Sequence, residues 1–304
     1  MKRREFIRTS VGAGILAGTG WGFSSINGLA AAVQEAGYDL VAVRGGASEV
    51  MLDKVLESLG GIGRFVKKGQ TVVIKPNIGW DVVPEKAATT NPRLVGKLVK
   101  RCIEAGAKEV YVFDHTCDDW QRCYKTSGIE KEAKDNGAKV VPAHTESYYQ
   151  SVNIPGGKVL KTVKEHELLL ESDVFINVPV LKNHNSSKLT ISMKNLMGGI
   201  WDRGFWHSNN LSQCIADYAT YRKPDLNIVD AYNVMKRNGP RGVSIQDVVN
   251  LQVMVASTDI VAADAAATKF FGLEPENVSH IRIAGAMGVG EMDLAKLRIN
   301  RITL

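Results

Sequence analysis

Lys75 and Lys182 each stand at or just beyond the end of a short apolar run, Lys194 follows in Met193-Lys194-Asn195, and Arg241 sits in the turn sequence Asn238-Gly239-Pro240-Arg241-Gly242. Cations in such places neutralise a carboxylate or a phosphate, and a guanidinium does so with two parallel bonds. Lys75-Pro76-Asn77, Lys182-Asn183-His184 and Lys194-Asn195 set amides beside the amines, so Asn77, Asn183 and Asn195 are candidates to orient a bound anion. His184 is the candidate for proton transfer, because imidazole titrates near neutral pH. Asp230, directly after Ile228-Val229, is the candidate carboxylate. The expected catalytic set is thus His184, Lys182 and Asp230, and the expected ligand-binding set is Lys75, Asn77, Asn183, Lys194, Asn195 and Arg241.

These residues need a scaffold that brings them together. Apolar, β-branched stretches alternate with helical ones: Leu40 to Arg44 then Glu49 to Leu59, Thr71 to Lys75 then Pro92 to Ala105, Val110 to Phe113 then Gln121 to Asn136. That alternation predicts βαβ units. The run Val174 to Val180 suits a strand buried on both faces of a parallel sheet. Four expected strands end alike, in Lys75-Pro76-Asn77, Asp114-His115, Lys182-Asn183-His184 and Asp230. In a parallel sheet those ends share one edge, where open α/β sheets bind ligands. One polar residue after a strand often only turns the chain; four of them favour a common crevice.

The expected fold is α/β, a mostly parallel Rossmann-like sheet with helices on both faces and an inserted cap segment at about residues 182–223, where strand character is low. Residues 38–304 are expected to form a single domain. Gln150 to Ile154 and Val159 to Val163 read as a hairpin around Pro155-Gly156-Gly157. Asn91 reads as the cap of a helix that opens on Pro92.

Residues 1–32 read as a twin-arginine signal peptide. Lys2-Arg3-Arg4-Glu5-Phe6-Ile7-Arg8 is the charged start, Val11 to Phe23 a glycine-rich, weakly apolar stretch, and Ala30-Ala31-Ala32 the small residues for cleavage. Periplasmic location, or export by the twin-arginine pathway, follows as an expectation. The twin-arginine export machinery is then a partner, and no stable membrane span remains after signal removal. The formal charge of the chain is +6, of which Lys2, Arg3, Arg4 and Arg8 less Glu5 supply +3. So small an excess gives no reason to expect nucleic-acid binding.

Cys102, Cys117, Cys123 and Cys214 include no closely spaced pair of the kind that holds iron–sulfur or structural zinc sites. Cys117 and Cys123 remain candidates for a disulfide in an oxidising compartment. His115 and His207 stand behind His184 as candidate bases or ligands, and His144, His166 and His280 read as surface or partly buried residues. No two histidines have a recognisable ligand spacing, so no metal ligands are assigned and the cofactor stays unknown. Walker loops and Gly-x-Ser-x-Gly elbows are absent from the sequence.

In order, Val73 to Asn77, Thr89 to Pro92, Asp173 to His184, Met193 to Gly198, Ile228 to Asp230, Asn238 to Pro240, and Ala256 to Asp259 with Ala263-Asp264 resemble the prokaryotic family known as domain of unknown function 362. The resemblance spans roughly residues 38 to 290 and implies the organisation of the chain rather than a reaction. Some relatives carry cysteine-rich ferredoxin segments, which this chain lacks. Three readings stay open: an exported enzyme acting on a small anionic molecule, a periplasmic ligand- or cofactor-binding or maturation protein without turnover, and a metal-cofactor redox protein.

Overall fold

The computed structural model describes residues Gly37–Leu304, which form one compact unit. The expected signal peptide lies outside the described residues. The first half contains strands β1 (Leu40–Arg44), β2 (Thr71–Pro76), β3 (Glu109–Val112) and β4 (Lys139–Val140), joined through helices α1 (Ser48–Ser58), α2 (Pro92–Glu104), α3 (Trp120–Thr126) and α4 (Ile129–Asp135). A separate antiparallel hairpin, β5 (Tyr149–Asn153) with β6 (Thr162–His166), precedes α5 (Glu167–Glu171). The chain returns to the main sheet with β7 (Val174–Val178), β8 (Val180–His184) and β9 (Lys188–Thr190). It then forms α6 (Ser192–Asn195), α7 (Gly204–Ser208) and α8 (Leu211–Ala219), and closes with β10 (Leu226–Met235), β11 (Val248–Ser257), α9 (Ile260–Phe271), α10 (Ser279–Ala286) and β12 (Ile299–Thr303).

The main sheet runs β12-β1-β11-β10-β7-β2-β3-β4, with β8 beside β10 and β9 beside β8. Its pairings are mostly parallel; β11 runs antiparallel to both neighbours, and β8 with β9 makes an antiparallel hairpin. Alternate residues of each strand enter different cores, as the two-residue period requires. Val72, Ile74, Val174, Ile176, Ile228 and Met254 meet α1 to α4 on one face, whereas Val73, Phe175, Val229 and Val255 meet α8, α9 and α10 on the other. Helices therefore cover both faces, and near-continuous burial of β2 and β7 follows from that sandwiching.

Particular residues set the element ends. The Asn91 side chain accepts the Arg93 N–H at 3.0 Å and caps α2, with Pro92 in its first turn. The expected helix from Gln121 to Asn136 is two helices, because Gly128 adopts φ +74° between them. Asp259 accepts the Val261 and Ala262 N–H groups to cap α9, and Gly272 ends it in the left-handed conformation.

Two expectations about strand ends are corrected. Val174 to Val180 is not one strand: Pro179, with no N–H to donate, separates β7 from β8. Lys182, Asn183 and His184 accordingly lie within β8 rather than on a loop after it. Asp230 is likewise inside β10, which runs five residues further to Met235. The long excursion after Lys182 packs Leu189, Ile191, Met193, Leu196, Trp206 and Tyr218 into one of the two main cores.

Cap removal by Asn91→Ala is expected to lower unfolding stability by about 1 kcal/mol, read as a lower urea midpoint with unchanged slope.

Candidate anion-binding site

Lys75 leaves β2 fully buried, and its ammonium pairs with Asp114 Oδ1 at 2.7 Å, just beyond β3. The other carboxylate oxygen accepts the Ile78 N–H at 2.6 Å, so one side chain ties two neighbouring strand ends together. Burial pushes the Lys75 amine down, and Asp114 opposes that shift. Gly198 lies directly over the pair: a Cβ there would stand 1.7 Å from Asp114 Oδ1 and 2.6 Å from Lys75 Nζ. Only glycine lets this turn press down on the ion pair. Asp114 and Gly198 line a cavity of about 440 Å³, and Lys75 lies beneath them, fully buried.

Lys182, Lys194, His184, His115, Arg203 and Cys117 line that cavity. Lys182 Nζ donates to Asn77 Oδ1 at 3.0 Å and to the Ala88 carbonyl, and burial pushes its pKa down to about 7. Among the described residues Lys194 Nζ donates only to Met197 Sδ, at 3.0 Å, and burial pushes it down to about 8. Neither amine has a carboxylate partner among the described residues, in contrast to Lys75. Arg203 forks across the carbonyls of His115 at 2.8 Å and Thr116 at 2.7 Å, which fixes its guanidinium at the cavity wall.

His184 Nδ1 accepts the N–H groups of Ser186 at 3.1 Å and Ser187 at 3.3 Å. The neutral ring therefore carries its proton on Nε2. Burial first, then Lys194 and Lys182, depress it to about 3. This corrects the expectation that His184 titrates near neutrality: it is held neutral, as an N–H donor.

A row of amides positions these groups. Asn195 Nδ2 donates to Asn177 Oδ1 at 2.9 Å, and its Oδ1 accepts from Asn77 Nδ2 at 2.9 Å. Asn177 Nδ2 in turn donates to Asn227 Oδ1 at 3.0 Å. Sheet register accounts for the row, since Lys75 stands opposite Asn177, Asn177 opposite Asn227, and Asn227 opposite Ser257. Asp264, fully buried in α9, accepts the Ser192 N–H at 2.7 Å and the Met193 N–H at 3.0 Å, and so anchors the start of α6 that presents Lys194 and Asn195. Thr90 Oγ1 accepts the Asn77 N–H at 2.8 Å and donates to the Val178 carbonyl at 2.7 Å.

The fold brings Lys75, Asn77, Lys182, His184, Lys194 and Asn195 together and leaves three expected residues elsewhere. The Asp230 carboxylate accepts the Asn91 N–H at 2.7 Å and the Tyr232 N–H at 3.1 Å, bracing the start of α2 away from this cavity. Asn183 Oδ1 accepts the Gly239 N–H at 3.0 Å, which holds the turn that brings Pro240 to the cavity. Arg241 is half exposed and lies 3.5 Å from Asp118. Asp230 departs because β10 continues to Met235, and Arg241 because it pairs with Asp118.

Sequence reasoning missed Arg203, Asn177, Asn227 and Cys117. Arg203 lies in an irregular stretch with no periodic signal, and the two amides interrupt runs that otherwise read as plain buried strand. Cys117 and Cys123 are separate thiols, the first exposed and the second buried in α3. His166 and His280 are both fully buried, not surface groups; His166 stacks on Phe113 at 4.1 Å. Among the described residues no group of three or more His, Cys, Asp or Glu is placed to hold a metal ion, and no helix is long and apolar enough to cross a membrane.

Comparison with known proteins places the chain in a family. A thylakoid-associated protein of Synechocystis sp. (strain ATCC 27184 / PCC 6803 / Kazusa) is 28% identical over 255 residues, covering 78% of this chain and 74% of that one. The lactate racemase apoprotein of Thermoanaerobacterium thermosaccharolyticum superposes with a TM-score of 0.49 at 14% identity, over 76% of this chain and 56% of that one. A Thermotoga maritima protein superposes with a TM-score of 0.43 at 13% identity, over 79% of this chain and 58% of that one. The chain thus spans little more than half the length of these solved structures. Residues 72–269, more than half of the chain, match the model described as Domain of unknown function (DUF362), and the protein belongs to that family.

Proposed function

We propose that this protein is an exported enzyme that binds a small organic carboxylate or phosphate between Lys182, Lys194 and Arg203 and moves a proton on the Lys182 amine. The observation that supports this reading is the pair of buried amines without carboxylate partners, beside a third lysine that has one. An incoming anion supplies the missing counter-charge. With pKa values of about 7 and 8, Lys182 and Lys194 stand where a side chain both gives and takes protons at neutral pH. His184 offers its Nε2 N–H to the ligand, and Asn77 holds the Lys182 amine in place. Asn195 fixes Asn77 from the other side. Export rests on the Arg3-Arg4 start of the chain; the thylakoid association of the Synechocystis relative is compatible with it.

Sulfate stays a dianion from pH 6 to 9, so its binding reports the protein alone. Protonated lysines hold it, and a lysine whose pKa is depressed loses its proton as pH rises. Affinity by calorimetry is therefore expected to be highest below pH 7 and to fall through pH 7 to 8, by up to about tenfold per pH unit for each lysine involved. Lys194→Met should flatten the upper part of that profile. A flat profile in the wild type would count against the site.

Native mass spectrometry of protein from its own export route is expected to show a bound small acid. Lys182→Arg keeps the charge but cannot release a proton near neutral pH. For an enzyme it should retain that acid while losing turnover by at least about a hundredfold; a wild type that holds the acid unchanged indefinitely would instead establish the binding protein.

Replacing Arg3 and Arg4 by lysine is expected to leave the protein in the cytoplasm, as followed by fractionation and immunoblotting; unchanged export would remove the twin-arginine route.

A further inference from the structure

Cys117 has no part in the reading above, yet its thiol is exposed into the same cavity. The loop that carries it is pinned: the Cys117 N–H donates to the Gly79 carbonyl at 2.8 Å, and Arg203, bonded to the two preceding carbonyls, holds Nη1 3.6 Å from Sγ. Sγ stands 3.9 Å, and Asn77 Oδ1 3.6 Å, from the point where a Cβ on Gly79 would lie, and Asn77 Oδ1 is the acceptor of Lys182. Sulfur, guanidinium and lysine amine therefore border one space. The other three thiols, Cys102, Cys123 and Cys214, are buried, and burial pushes each well up. A second feature independently marks this space for a ligand: Lys194, 8% exposed and facing the cavity, has the weak acceptor Met197 Sδ as its sole hydrogen-bond partner among the described residues.

Resting on the anion-site reading, we propose that Cys117 is a nucleophile that forms a reversible adduct with a carbonyl-bearing organic acid whose acidic group is held by Lys194 and Arg203. In the step, a sulfur electron pair forms the C–S bond and the carbonyl π bond breaks onto its oxygen. The thiol proton passes to the Lys182 amine and from its ammonium to the new alkoxide, giving a neutral hydroxyl. Nothing is oxidised and no co-reactant is consumed. Reversal releases the carbonyl compound, so the thiol serves to hold and orient the substrate while protons move around it. The substrate class is thereby narrowed from any small anion to an oxo acid.

Alkylation of the full-length protein tests this with an internal control. Iodoacetate and iodoacetamide deliver the same electrophilic carbon with and without negative charge, and peptide mapping by mass spectrometry reports each cysteine separately. Relative to glutathione, Cys117 is expected to prefer iodoacetate by roughly tenfold or more, with Cys102, Cys123 and Cys214 unlabelled in the folded protein. Sulfate should suppress that preference, and Lys194→Met should reduce it. Glyoxylate, a carbonyl acid, should then protect Cys117 at least about tenfold better than oxalate, which offers carboxylates alone. In Cys117→Ser the affinity for glyoxylate should drop to that for oxalate.

Equal protection by the two acids, with the iodoacetate preference intact, would overturn the adduct while leaving the anion site standing. Loss of the preference together with pH-independent sulfate binding would overturn both. Failure to label Cys117 with either reagent would overturn the nucleophile alone.

Discussion

Two lysine amines, Lys182 and Lys194, are buried at one edge of this sheet without carboxylate partners among the described residues, and the surrounding elements fix them there. The depression of Lys182 to about 7 corresponds to on the order of 5 kcal/mol of selection against its charged form. That shift leaves the ammonium, held by its acceptors Asn77 and the Ala88 carbonyl, close to balance with the free amine at neutral pH. A bound anion tips that balance toward the ammonium. The unliganded site is thus preorganised and electrostatically incomplete, which is the condition under which a charge arriving or developing in the cavity is strongly stabilised.

Such incompleteness requires rigid neighbours, because flexible amines would swing into water. The rigidity comes from an ion pair below and amides beside. Lys75 and Asp114 are matched charge for charge and form a closed ion pair beneath Gly198. Asn77, Asn195, Asn177 and Asn227 each satisfy the next across several strands, spreading the constraint through neutral groups. Asp264 completes it from the helical layer by fixing the first turn of α6. Polar groups this deep are tolerated because nearly every one has a partner; a half-satisfied network would cost more than an apolar one.

Histidine behaves here against its usual role. With two backbone N–H groups on Nδ1 and buried lysines nearby, His184 stays neutral, and it is Lys182 and Lys194 whose pKa values lie near neutrality. Burial thereby exchanges the ordinary assignments of the two side chains, and residue type alone misleads on which group carries protons.

Much of the scaffold was legible in the chain. The βαβ alternation, the Asn91 cap, the β5 and β6 hairpin and the end of α9 at Gly272 follow from local rules of period, capping and turn chemistry. That Lys75 and Lys182 approach one edge was also legible, since parallel strands share an edge, whereas Lys194 arrives there on α6. Strand ends were less so: Pro179 divides one apolar run into two strands, and β10 continues past Asp230, because sheet pairing rather than local composition sets where a strand stops.

What the sequence determined by itself is therefore the set of elements and the kind of charge they carry to one edge. Tertiary structure alone decided which charges are matched. The register that lines up Lys75, Asn177, Asn227 and Ser257, the approach of Asp114 to Lys75 rather than to Lys182, and the meeting of Arg203 with Cys117 all join residues distant in sequence. Their energies depend on burial and on partners a few ångströms away, and neither quantity is written in the neighbours along the chain.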